Sequence, residues 1–288
     1  MLAPQYDESY SAALLDKYER LMITKSPKVI LIAGSNYAFG INSEELGNKI
    51  GMPVVNLGLY AGLGIEFNLR LAENNIQSGD IIVFGFEYPL YGSYGKDKLS
   101  ADTVWTSIEN HKYLYSCIPS NQYFHLLISY PKYFMNKIER IIFPTVEVDN
   151  VYLRKYVNEY GDVFYPRNEN VYADSFSEVI IDESLVNAGL IKRFTEFKKM
   201  ANDKGANVVI SFPSLDKTYV HSSTEEKAAF VQKLEKETDI KIISEIDNYL
   251  YPTEYFYNSN YHLNDYGVNI RTEQLSEDIS EYIRKSRN

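Results

Sequence analysis

The chain has 288 residues, is 45% hydrophobic and carries a net charge of −10, which suits one large core, or one domain with a substantial insertion, and argues against two equal domains. The acidic balance without a Lys/Arg cluster argues against nucleic acid as a partner, because affinity for a phosphate backbone comes largely from basic patches. The single cysteine, Cys117, excludes an internal disulfide framework and a multi-thiolate metal site. No stretch approaches the about 20 apolar residues of a membrane-spanning helix, and no signal peptide precedes the first predicted helix. The 26 tyrosines suit amphipathic surfaces that touch sugars or partners, and equally fit a compositional bias toward Tyr, Ile, Lys and Asn.

From the N-terminus, Leu14, Leu15, Tyr18, Leu21 and Met22 recur at helical spacing and predict a first helix to about Lys25, ended by Pro27. Residues 28–33 read as a buried strand, and Asn42 with Glu45 as a capping pair that opens a short helix. Residues 53–57 form the second predicted strand, the glycine-rich turn from Gly58 to Gly64 leads into a helix to about Asn75, and residues 80–86 give the third strand. From Tyr88 to about Asp182 the alternation fails. Leu114, Leu126, Leu127 and Ile128 suggest helices there, and residues 146–174 have no clear period. A long irregular connection inside a compact domain points to an insertion or lid over 88–182, or to a covering subdomain that does not touch substrate.

Regular order returns with a helix over 183–204, a strand at 207–212, a capping box of Ser223 and Glu226, and a strand near 241–244. Val268, Leu275, Ile279 and Ile283 mark a closing helix. Apolar runs alternating with amphipathic stretches predict an α/β fold of three layers, α/β/α, with helices on both faces of a parallel sheet. Residues 1–288 are then one domain, with a helical insertion after the third strand.

In an open parallel sheet the C-terminal strand ends converge on one edge, and ligands bind in the crevice there. Ser35 follows the first strand, Gly58 the second and Glu87 the third, so all three are expected at that edge. Gly34 permits a tight turn that exposes Ser35, and the backbone N–H groups near Ser35 and Gly58 are candidates to face an oxyanion. His262 lies just before the closing helix. A serine where a buried strand opens into a loop, with a late histidine, is how several α/β hydrolytic folds assemble a nucleophile and its base. Plainer readings stand beside this one: Gly-Ser-Asn is common turn chemistry, Asn264 suits a helix N-cap and Gly267 close packing, and His262 suits a structural role. His111, His125 and His221 lack metal-ligand spacing, and no metal is expected. The glycine-rich turn differs from the dinucleotide fingerprint, and no cofactor is expected.

Gly34-Ser35-Asn36, Asn56-Leu57-Gly58, Gly85-Phe86-Glu87 and Tyr261-His262-Leu263-Asn264 occur in the order of the four blocks of the SGNH (GDSL-like) hydrolase superfamily, which the chain resembles outside 88–182. It is most similar to exported SGNH-like proteins of bacterial surface polysaccharides, whose relatives include O-acetyltransferases and esterases of glycans. The resemblance implies a flavodoxin-like sheet, Ser35 as nucleophile, His262 as general base and Gly58 as an oxyanion donor; Asn36 is expected in support, and Tyr60 of the glycine-rich turn and Tyr261 beside the histidine are expected toward substrate. It further implies an acyl ester substrate, an acetyl group on a surface glycan, with a membrane acyl-transfer protein as partner. Extracytoplasmic placement goes with it, since in such relatives a start like residues 10–25 follows a membrane anchor.

Two positions depart from that pattern. Glu87 stands where the family carries an asparagine as third oxyanion donor, and an ionised carboxylate facing the oxyanion would repel the developing charge. Ser259, flanked by Asn258 and Asn260, stands where the family carries the aspartate that orients the histidine. In proteases, losing one oxyanion donor costs about 2.7–4 kcal/mol, and an amide in place of the orienting acid lowers kcat by roughly 10⁴-fold. Two expectations follow: a serine-dependent esterase or O-acyltransferase, or an impaired scaffold that binds a glycan or an assembly partner.

Overall fold

Alternation along short apolar strands sorts this molecule into layers. The computed structural model describes residues 2–96, 98–109, 111–144, 148–172 and 175–286. In chain order the elements are α1 (Ala13–Ile23), β1 (Val29–Ile32), α2 (Ser35–Ala38), α3 (Ser43–Ile50), β2 (Val54–Asn56), α4 (Gly64–Glu73), β3 (Ile81–Phe84), α5 (Tyr88–Ser93), α6 (Ala101–Ser107) and α7 (Tyr123–Ile142). They continue with α8 (Ala188–Asp203), β4 (Asn207–Ile210), β5 (Leu215–Asp216), α9 (Thr224–Thr238), β6 (Lys241–Ile242), β7 (Leu250–Tyr251), β8 (Phe256–Ser259), β9 (His262–Leu263) and α10 (Asp265–Ser286).

The main sheet has five parallel strands in the order β2-β1-β3-β4-β6, the order of flavodoxin-type doubly wound sheets. Because successive side chains in a strand face opposite ways, Ile30, Ile32, Ile82, Phe84, Val208 and Ile210 enter one core with residues of α1, α4, α8 and α9. Val29, Leu31, Ile81, Val83 and Val209 enter a second core with Leu46 of α3 and Leu275 and Ile279 of α10. The expected α/β architecture with helices on both faces is therefore present. Strand order reverses between β1 and β3, and the crevice outside their C-terminal ends is where such sheets bind ligands.

The elements start and stop where local chemistry dictates. Asn42 accepts from the Glu45 N–H at 3.1 Å and opens α3, and Ser223 with Glu226 forms a reciprocal capping box on α9. The expected helix over 183–204 begins later. Asp182 first caps a short 3-10 turn, Glu183–Leu185, and Asn187 then caps α8 through the Leu190 N–H at 3.0 Å. The expected strands are shorter than read, β1, β2 and β3 at both ends and β4 and β6 at the C-terminal end.

Residues 88–182 do not stand off the domain. Tyr88 and Tyr91 of α5, Val104 of α6 and Leu126 of α7 join the larger core. The irregular part is stitched to the strand-end edge: Val163 N–H donates to Ala38 O at 2.8 Å, Asn56 N–H to Tyr160 O at 3.2 Å and Val171 N–H to Tyr257 O at 2.7 Å. Asp162, buried, accepts from Ser43 N–H, Ser43 Oγ and Asn56 Nδ2. This tract gains its order from long-range pairing, which explains the absence of a period in its sequence.

Candidate acyl-transfer site

β1 ends at Ile32, and three residues later Ser35 opens α2, so its side chain emerges at the sheet edge, partly exposed. Three close approaches need glycine. A Cβ on Gly34 would lie 2.5 Å from both Glu87 carboxylate oxygens, one on Gly58 would lie 2.7 Å from Gly34 O, and one on Gly85 would lie 2.3 Å from the Tyr37 ring. The glycines of the sequence blocks thus let β1, β2 and β3 bring their following loops together.

His262 reaches this point from the other end of the chain. Its Nε2 lies 2.8 Å from Ser35 Oγ and its Nδ1 lies 2.8 Å from Asn258 Oδ1. Asn258 Nδ2 donates to the Tyr152 hydroxyl at 3.0 Å, which turns Oδ1 toward the imidazole. Nδ1 therefore carries the proton, and Nε2 offers its lone pair to the serine O–H. The order hydroxyl, imidazole, amide carbonyl is the order in which a nucleophile, a base and an orienting group stand in covalent catalysis.

The orienting group differs from the one expected. Ser259 pairs with His262 across the β8–β9 hairpin as a backbone neighbour, but its Oγ accepts from Tyr261 N–H at 3.3 Å, and the imidazole Nδ1 is met by Asn258. An irregularity between Phe256 and Ser259 shifts the register of β8. Such a bulge re-aims side chains, and here Asn258, four residues before the histidine, takes the orienting position.

His262 is 7% exposed. It stacks on Phe39, with centroids 4.0 Å apart and 9° between planes. The same Phe39 ring carries the Arg167 guanidinium 5.4 Å from its centroid, and Arg167 is anchored by donating to Phe39 O at 3.0 Å and Val163 O at 2.9 Å. Burial, and secondarily the positive charge of Arg167, push the His262 imidazole down to about 3. It is neutral at neutral pH, and an imidazolium formed here would have no carboxylate hydrogen-bonded to it.

Glu87 turns to the backbone on either side of Ser35. Its Oε2 accepts from Gly34 N–H and its Oε1 from Asn36 N–H, each at 3.1 Å. The first turn of a helix leaves its N–H groups without intrahelical partners; Glu87 takes two of them on either side of Ser35. Gly58 N–H, expected as an oxyanion donor, instead donates to Asn56 Oδ1 at 2.9 Å. Asn36, expected in support, supports by anchorage: its Nδ2 donates to Gly85 O at 2.8 Å, and Arg271 donates to its Oδ1 at 2.7 Å and its backbone O at 2.6 Å. Ser35 N–H and Tyr37 N–H remain as first-turn donors in α2 that Glu87 does not take.

The expected substrate contacts divide. Tyr60 is half-buried, packs edge-on against Tyr10 with centroids 4.9 Å apart, and is pushed up to about 12 by burial. The Tyr261 hydroxyl is buried, and burial raises it well above the ordinary tyrosine range, so this residue serves packing next to the histidine rather than reaching outward. A cavity of about 620 Å³ lined by Glu66, Tyr94, Asn121 and Arg193 includes neither Ser35 nor His262. Among the described residues, no group of three or more His, Cys, Asp and Glu is placed to hold a metal ion.

Sequence reasoning missed Asn258, Tyr152, Arg167 and Arg271. Arg271 had a legible signal, since it lies three residues after Val268 and four before Leu275 on the apolar face of the closing helix. It is fully buried. A charge on such a face must be paired or hydrogen-bonded, and here it holds the nucleophile turn. Arg167 and Tyr152 lie in the aperiodic tract and gave none.

Two results are expected from this geometry. Glu87→Gln puts an amide NH₂ against one of two backbone N–H donors, so the variant should lose about 2–3 kcal/mol of stability in chemical denaturation; an unchanged midpoint would contradict the bridging role. The second concerns pH. The folded-state value of His262 lies below its unfolded value of 6.5, so its contribution is intact above 6.5 and is lost as pH falls toward about 3, because only the unfolded chain takes up the proton. The slope is about 1.4 kcal/mol per pH unit in that window. Wild type should therefore lose more stability than His262→Gln between neutral pH and mild acid, and parallel losses would contradict it.

The fold and site define a doubly wound α/β protein with a serine–histidine–asparagine relay at its strand-end crevice. Compared with known proteins, the chain matches no family model and no curated protein.

Proposed function

We propose that this chain is an SGNH-like serine-dependent esterase or O-acyltransferase acting on acyl esters, acetyl esters of a bacterial surface glycan foremost. The observation that carries this reading is the 2.8 Å contact from Ser35 Oγ to His262 Nε2, with Nδ1 held by Asn258 at 2.8 Å. Ser35 Oγ attacks the ester carbonyl carbon as His262 Nε2 takes its proton. The leaving alkoxide departs with that proton, leaving acyl-Ser35. Water or an acceptor sugar hydroxyl then attacks the acyl carbon, gives its proton to His262, and the serine is restored. With this substrate class go extracytoplasmic placement and an acyl donor delivered by a membrane acyl-transfer protein.

A second reading, an impaired scaffold that binds glycan or an assembly partner, is favoured by one specific observation. Glu87 and Asn56 occupy N–H groups at Gly34, Asn36 and Gly58 that would otherwise be available near the nucleophile. The discriminating experiment is acetate release from an O-acetylated polysaccharide by wild type and Ser35→Ala. Release that Ser35→Ala abolishes supports the enzyme. Binding of the polysaccharide by both proteins with release by neither supports the scaffold.

A further inference from the structure

Helix α7 has two opposite faces. Its inner face is locked to the domain: Leu126, Tyr133 and Lys137 are buried, Lys137 pairs with buried Glu109, and Trp105 Nε1 donates to Leu126 O at 3.2 Å and Ser129 Oγ at 3.1 Å. Glu109 also accepts from Gln5 N–H and Tyr6 N–H, each at 2.9 Å. The helix is thus a fixed part of the molecule.

Its outer face is apolar. Phe124, Leu127, Ile128, Met135, Ile142 and, just past the helix end, Phe143 are 60% to 75% exposed. The helical members fall at i, i+3, i+4, i+11 and i+18, which is one stripe along the whole helix. At 20 residues and 1.5 Å per residue the stripe is about 30 Å long. Monomeric soluble proteins rarely leave such a contiguous face uncovered.

The surroundings say what covers it. Tyr123 and Tyr130, 48% and 38% exposed, lie between the buried and exposed faces of the helix, where an aromatic ring with a polar tip suits the boundary between hydrocarbon and water. Charge points the same way. Residues 88–144 carry six Lys or Arg against four Asp or Glu, in a chain whose net charge is −10, and Lys96, Lys98, Lys112 and Lys132 of this segment are exposed. A locally basic segment bearing an apolar stripe on an otherwise acidic molecule is complementary to anionic lipid. Among the described residues no helix is long and apolar enough to cross a membrane, and α7 itself includes His125, Lys132, Lys137, Glu139 and Arg140.

We propose that α7 is a membrane-docking helix that lies in the plane of an anionic bilayer surface, its outer face at the level of the headgroup and acyl boundary. The domain is held against the membrane as one rigid piece, because the inner face of the same helix belongs to its core. Exposed lysines of 88–144 contribute by attraction to anionic headgroups, and that part weakens with salt.

The test is flotation of the full chain with vesicles of phosphatidylcholine alone and of phosphatidylcholine with about one third phosphatidylglycerol, alongside light scattering for oligomeric state. Wild type is expected to float with the anionic vesicles, less with the neutral ones, and less at high salt. Leu127→Glu with Met135→Glu should lower the bound fraction at least tenfold with an unchanged melting temperature. Lys112→Glu with Lys132→Glu leaves the stripe intact and should lower binding to anionic vesicles alone, which keeps the test decisive if the first variant does not fold. Wild type that stays free of anionic vesicles overturns the proposal. So does a dimer that fails to bind vesicles and is dissociated by Leu127→Glu with Met135→Glu, since a second copy then covers the face.

Discussion

Ser35→Ala and His262→Gln should each lower turnover of p-nitrophenyl acetate by on the order of 10³-fold or more, with the fold intact. In serine hydrolases the nucleophile and base act as a unit, so removing either costs about as much as removing both. The same is expected here because a single 2.8 Å contact joins Ser35 Oγ to His262 Nε2, and no other histidine is available: His125 Nε2 meets Leu99 O at 3.1 Å, His111 Nδ1 meets the Tyr113 hydroxyl at 3.3 Å and His221 faces Glu178. Ser35 is partly exposed and its hydroxyl meets His262, so alanine there should leave stability within about 0.5 kcal/mol. The double variant should be no slower than either single one. Additive losses would mean that the two residues do not act on one proton.

Asn258→Asp should raise kcat/KM by about 10- to 100-fold and move the acid limb of the pH profile upward. In the wild type the imidazolium is disfavoured twice, by burial and by Arg167, and Asn258 orients the ring with a dipole rather than a charge. Aspartate is close to isosteric and would place a carboxylate oxygen where Oδ1 now lies 2.8 Å from Nδ1. Each unit by which it raises the histidine is worth about 1.36 kcal/mol of imidazolium stabilisation. The Tyr152 hydroxyl, which now accepts from Asn258 Nδ2, can rotate and donate to the new carboxylate, so no buried donor is left facing another. Wild-type kcat/KM should be nearly flat from pH 8 to about 5, well below where an ordinary histidine near 6.5 would cut it off. An Asn258→Asp variant with unchanged rate and unchanged acid limb would show that imidazolium formation does not limit the reaction.

The parts of this molecule built from local pattern could be read from sequence, and the parts built from distant contacts could not. β1, β3 and β4 announce themselves as short apolar runs because both faces of each are covered, and α3 and α9 announce their starts through Asn42 and Ser223 with a glutamate three residues on. The place of Ser35 at the sheet edge was readable from the end of β1, whereas its partnership with His262 rested on the order of the motif blocks, since β9 lies outside the main sheet. Asn258 was not readable, since a register irregularity in a four-residue strand decides which of two neighbours faces the imidazole. Glu87 was read as an obstacle to the oxyanion, whereas its carboxylate turns back to the N–H groups of Gly34 and Asn36, a choice fixed by the closeness of a glycine 53 residues earlier, just after β1. The tract that supplies Tyr152, Asp162 and Arg167 has no period to read because these three answer to different partners elsewhere in the chain.

The most direct test of the account is to react the protein with p-nitrophenyl acetate, quench in acid and map the acyl group by mass spectrometry. The predicted result is one acetyl group on the peptide containing Ser35, accumulating more in Asn258→Ala, where a poorly oriented base slows deacylation, and absent from Ser35→Ala. An unmodified Ser35 peptide under conditions where the wild type releases p-nitrophenol, or an acetyl group at another residue that persists in Ser35→Ala, would contradict Ser35 as the acyl-carrying nucleophile.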